Sequence, residues 1–143
     1  MCKKLACILL SALFLVLGTV SAAAIDSRQA DHSGGTPTRL SYTNYTYTGL
    51  RISSGGVATC ASMLQGYPGI TTKVSIEMTL QKRFLLLFWT TEQTWSQTFT
   101  GDYGALEKTQ SVSGGTYRVS ATFMAYSGTN SEKVTATSPT ADY

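Results

Sequence analysis

KVSIEMTLQK, residues 73–82, decides the fold. Val74, Ile76, Met78 and Leu80 occupy every second position, and Lys73, Ser75, Glu77 and Thr79 fill the places between them. A period of two puts the apolar set on one face of an extended chain, whereas a helix needs a repeat near 3.6. The stretch therefore reads as a strand with one face in a core and the other in water. TYRVSATFMAY, residues 116–126, repeats the pattern: Tyr117, Val119, Ala121, Phe123 and Ala125 point one way, Arg118, Ser120, Thr122 and Met124 the other.

Outward from these two strands, turn residues recur at Gly55-Gly56, Gly66–Gly69 with Pro68, Gly101–Gly104, Gly114-Gly115 and Gly128–Asn130. They divide the chain into about seven strands, at residues 42–53, 57–65, 71–82, 87–99, 105–112, 116–127 and 131–138. No helical repeat of useful length intervenes. The 21 Thr and 14 Ser after residue 24 agree, because Thr suits a pleated surface and is a poor helix former. The expected fold is all-β, an antiparallel immunoglobulin-like β-sandwich.

The first 24 residues have a different logic. Lys3 and Lys4 precede an apolar run from Leu5 to about Gly18, and Ser21-Ala22-Ala23-Ala24 follows. This is the layout of a secretory signal peptide, with cleavage expected in the span from Ala22 to Ile25 and an extracellular destination. An uncleaved anchor is the alternative, since Leu5 to Ala24 is just long enough to span a bilayer. Residues 25–40, with Gly34-Gly35, Pro37 and the single histidine, His32, read as a flexible linker or small propeptide before one domain at 41–143. Past residue 24, nine Lys or Arg face eight Asp or Glu, a net of +1, so the basicity of the whole chain owes much to its leader. With no cationic run longer than Lys82-Arg83, the chain lacks a nucleic-acid footprint.

Cys60 is the one cysteine left after the leader, which excludes an internal disulfide framework and suggests a small buried hydrophobe. Tyr117, after a glycine turn, stands where a tyrosine corner would tie a strand entry to a backbone carbonyl; a plain core tyrosine is the other reading.

The order TTKVSIEMTLQK, a Trp-containing strand, SGGTYRVSATFMAYSG and SEKVTATS resembles small secreted domains of Gram-positive gut bacteria, clostridia and their relatives, a family of unknown function. The resemblance covers roughly residues 42–138, and its most specific pieces are Leu80-Gln81-Lys82, Trp95, the run Gly115 to Val119, and Glu132. It implies export and a β-sandwich, with no catalytic residue to carry over. Where that pattern has a short Gly- or Ser-rich turn leading to a Trp, this chain has Arg83 to Phe88.

Enzyme chemistry finds little material here. One histidine in a linker assembles no catalytic triad, and one Cys with one His cannot close a zinc site, which wants three or four ligands. Glu77, Glu92, Asp102, Glu107, Glu132 and Asp142 are scattered, and Asp102 with Glu107 falls short of a calcium loop. The expectation is a protein that is not an enzyme and has no cofactor or metal.

The aromatics offer more. Trp89 and Trp95 lie six residues apart and would share one face of an unbroken strand, a surface on which sugar rings stack; burial in the core is the competing reading. Before them, Phe84 to Trp89 form an unbroken apolar row. It is too short for a transmembrane β-strand and does not alternate, and no helices are expected to cover a second face. A hairpin turn among Arg83–Leu86 would make Phe84, Leu85 and Leu86 an apolar tip beside Lys82 and Arg83. The expected patch is thus Phe84, Leu85, Leu86, Trp89 and Trp95, part of a secreted binding domain for an unknown surface ligand: a glycan, a protein or an anionic membrane surface. A membrane-active toxin or bacteriocin-like factor and a structural subunit are the alternatives.

Overall fold

The computed structural model describes residues 39–143. The expected leader at residues 1–24, its expected cleavage span and His32 lie outside the described residues.

Eight strands follow one another: β1 (Thr43–Ile52), β2 (Val57–Gly66), β3 (Lys73–Phe84), β4 (Phe88–Thr100), β5 (Tyr103–Ser111), β6 (Thr116–Ser127), β7 (Asn130–Thr137) and β8 (Ala141–Asp142). They form two antiparallel sheets packed as a sandwich. One has the order β1-β2-β5; the other runs β4-β3-β6-β7, with β8 paired to β6. Seven of the strands match the expected segments to within two residues. The pairing of β8, Thr116 with Asp142 and Tyr117 with Ala141, was not expected. It involves only two residues and carries no period.

The alternation of KVSIEMTLQK is reproduced in burial. Val74, Ile76, Met78 and Leu80 are fully buried, and on the neighbouring β6 so are Tyr117, Val119, Ala121, Phe123 and Ala125. The register explains why the two sets form one layer: Ile76 stands opposite Phe123, Met78 opposite Ala121 and Leu80 opposite Val119. From the other sheet, Ala58, Cys60 and Leu64 of β2 and Leu106 of β5 close the core. Burying a side chain such as Ile76 or Phe123 contributes about 1.5–3 kcal/mol. Gly104 is needed at the sandwich edge, since a Cβ there would stand 2.5 Å from the Phe99 ring.

Two polar devices fix the ends of the strands. The Tyr117 hydroxyl donates to the carbonyl of Ser113 at 2.7 Å, so Tyr117 is both a core side chain and the tie of a tyrosine corner. The Glu132 carboxylate on β7 accepts the backbone N–H groups of Ser41, Tyr42 and Thr43 at 2.8, 3.1 and 2.9 Å. It anchors the chain as it enters β1. Cys60 is a free, buried thiol, and burial pushes its pKa up to about 11.

Candidate functional site

The β3–β4 hairpin holds every residue of the expected patch. β3 continues past its core-facing residues to Phe84, which pairs with Phe88; Leu85, Leu86 and Leu87 make the turn. The turn is therefore one residue later than the span Arg83–Leu86 allowed, and Phe84 belongs to a strand. Exposure of the residues across the apex is 55% for Phe84, 70% for Leu85, 82% for Leu86, 79% for Leu87 and 61% for Phe88. Leu87 and Phe88 thus extend the tip beyond the expected Phe84, Leu85 and Leu86. The sequence holds a signal for them: FLLLF is symmetrical about Leu86, so a turn centred there brings the two phenylalanines opposite each other.

The backbone of the apex is unusual for its residues. Leu85 and Leu86 have φ of 49° and 64°, in the left-handed region. Two successive left-handed residues match the right-handed twist of flanking strands in two-residue hairpin loops, where Asn-Gly fills them; here they open a three-residue loop. A side chain with a Cβ costs roughly 1–2 kcal/mol per residue in that conformation.

Below the apex the two tryptophans part company. Leu80 pairs with Gln93 but Gln81 pairs with Thr91, so β4 spends an extra residue, Glu92, at that point. This is a β-bulge, and it reverses which face the preceding residues take. Trp95, opposite Met78, packs against the core from the half-covered edge strand. Trp89, opposite Arg83, turns to the outer face of the sheet. The common face expected for Trp89 and Trp95 required an unbroken strand, and the bulge removes it.

On the outer face Trp89 is bracketed by two cations. The Arg118 guanidinium lies 4.1 Å from its ring centroid and that of Arg83 5.8 Å. Each guanidinium is held from the side: Arg118 Nε donates to Gln81 Oε1 at 2.8 Å, and Arg83 Nη2 donates to Thr116 Oγ1 at 3.1 Å. Thr116 in turn donates to Asp142 Oδ1 at 2.6 Å, which connects the cluster to β8. Partial burial lowers the Arg118 pKa from its ordinary value, and a guanidinium still remains charged at any physiological pH. Lys82 faces the other way, donating from Nζ to Ser113 Oγ at 2.8 Å and lying 5.5 Å from the Tyr117 ring centroid.

Elsewhere an open groove of about 360 Å³ lined by Arg39, Leu40, Ser41, Tyr67 and Ile70 lies near the opposite end of β3. Among the described residues no three His, Cys, Asp or Glu side chains come together as metal ligands. The chemistry on offer at the hairpin is hydrophobic contact, aromatic stacking and anion pairing.

Comparison with protein-family models and with curated proteins finds no match. Among solved structures, OgpA from Akkermansia muciniphila is similar to this chain at 13% identity and a TM-score of 0.38, over 71% of this chain and 30% of that one. The chain thus spans under a third of that protein's length, and the likeness is too slight to bear on activity.

Proposed function

We propose that this chain is a secreted, non-enzymatic binding module that meets its ligand through the β3–β4 hairpin, with Phe84, Leu85, Leu86 and Trp89 at the contact and Trp95 supporting them from the core side. The apex carries the reading. Five consecutive apolar residues are more than half exposed, and two of them hold a backbone conformation that their side chains disfavour. Folding buries less than a third of Leu85 and Leu86 and loses roughly 2–4 kcal/mol to the turn. A bound ligand supplies the missing burial, at about 1.5–3 kcal/mol for each side chain covered.

Export is supported by the leader pattern of residues 1–24, and the absence of enzymatic activity by the residue inventory, with its one histidine placed in the linker. An immunoglobulin-like assignment of the sandwich is supported by the sheet split, β1-β2-β5 against β4-β3-β6-β7, and by Tyr117 near the start of the strand that follows β5. The likeness to exported clostridial domains belongs to the same proposal.

The test compares the mature chain with its Phe84→Ser/Leu86→Ser variant on three probes: a glycan array, phospholipid vesicles, and the chain itself in sedimentation equilibrium. The reading expects at least one association in the parent and its loss in the variant. A variant that keeps every association of the parent overturns it, as does a parent that binds none of the three.

A further inference from the structure

We infer that the hairpin docks on the surface of an anionic lipid bilayer, inserting its apex below the headgroups; this rests on the hairpin being the contact element. The order of residues along the hairpin carries the inference. Leu85, Leu86 and Leu87 form the extremity, Phe84 and Phe88 the next row, and Arg83 with Trp89 the row beneath. Arg118 reaches that row from β6 by stacking on Trp89. Below it the outer face turns to hydroxyls, with Thr79 bonded to Thr94. The same sequence of environments is met on entering a lipid leaflet from its inside: hydrocarbon, an interface that favours Trp, phosphates that favour Arg and Lys, then water.

The dimensions agree. Three residues separate Leu86 from Arg83, so at about 3.3 Å per residue the apex reaches at most roughly 10 Å beyond the cationic row. Interfacial elements bury their apolar face about 5–10 Å into the boundary of headgroup and acyl chain. Leu86 would thus lie among the upper acyl carbons while Arg83 and Arg118 meet phosphates. The charge has the right sign as well: Lys82, Arg83 and Arg118 stand at this end against Glu92 and Asp142, and Asp142 is already engaged by Thr116.

A folded protein partner fits less well. The exposed apolar apex comprises five residues, Phe84 to Phe88, against the roughly 20–30 that a specific interface takes from each side. A specific interface takes about 800 Å² from each partner, usually from a broad surface, and here the patch is a convex ribbon two strands wide.

The experiment is co-sedimentation of the mature chain with vesicles of phosphatidylcholine mixed with phosphatidylglycerol, and with vesicles of phosphatidylcholine alone. The parent is expected to prefer the anionic vesicles, with a blue shift of tryptophan emission. Phe84→Ser/Leu86→Ser should weaken that binding by about a hundredfold or more. Arg83→Gln/Arg118→Gln should weaken it roughly tenfold or more on anionic vesicles and leave binding to neutral ones unchanged. Thermal unfolding by circular dichroism checks that each variant keeps the fold. A parent that ignores both vesicle types overturns the inference, and if Phe84→Ser/Leu86→Ser then abolishes self-association or glycan binding, the hairpin reading survives it. Vesicle binding that Phe84→Ser/Leu86→Ser leaves intact overturns the inference, and the hairpin reading falls with it when the variant keeps every other association of the parent as well.

Discussion

The guanidinium of Arg118 lies 4.1 Å from the centroid of the Trp89 ring, on the opposite face of the sheet from Trp95, although both tryptophans belong to β4. The extra residue Glu92 makes the difference, because one inserted position exchanges the two faces of a strand. In a Trp95→Phe background, where Trp89 is the remaining tryptophan, Arg118→Ala should increase acrylamide quenching of the emission. It should cost about 0.5–1 kcal/mol of stability, the range of an exposed cation–π pair. Unchanged quenching would show that the stack does not persist in solution.

Glu132 accepts three backbone N–H groups from the segment that leads into β1. Glu132→Ala leaves these donors to water and should cost about 1.5–3 kcal/mol, the worth of hydrogen bonds to a charged group. Glu132→Gln, which keeps one oxygen, should fall between the parent and the alanine variant. The midpoint of urea unfolding reads both.

Tyr117→Phe removes one hydroxyl and leaves the ring in the core. The lost bond to the Ser113 carbonyl predicts a loss of about 1 kcal/mol in urea unfolding, with little change in slope. A much larger loss would mean that the corner organises more of the fold than one bond.

Cys60 gives a pH dependence. Burial raises the thiol from an ordinary 9.0 to about 11, so the folded chain keeps its proton where the unfolded chain has lost it. The resulting stabilisation is whole below pH 9.0 and declines as pH rises toward about 11. Stability of Cys60→Ala should decline less over that window than stability of the parent. The native thiol should also react with a thiol reagent only as fast as the core opens.

How far the fold could be read in advance depends on what each strand had to bury. KVSIEMTLQK and TYRVSATFMAY each keep one face in the core, and their alternation is the imprint of that constraint. β4 lies at the sheet edge, with only Trp89, Trp95 and Phe99 partly buried, so its sequence holds a weaker period and its bulge carries no glycine to mark it. The apex was legible as an oddity and its exposure as an inference from poor turn formers. Its true centre at Leu86 is marked only by the symmetry of FLLLF, because leucine pairs do not announce a left-handed turn. The split into sheets of three and five strands depends on which strands pair, and a period of two does not encode that.

The most direct test of the account replaces the apex leucines by residues suited to the turn. Leu85→Asn/Leu86→Gly should raise stability to urea by about 1–3 kcal/mol, since the left-handed strain is relieved and little burial is lost. The same protein should bind phosphatidylglycerol-containing vesicles at least tenfold more weakly than the parent, by the loss of two apolar side chains. A variant less stable than the parent, or one that binds those vesicles as well as the parent does, would contradict the claim that Leu85 and Leu86 serve contact rather than folding.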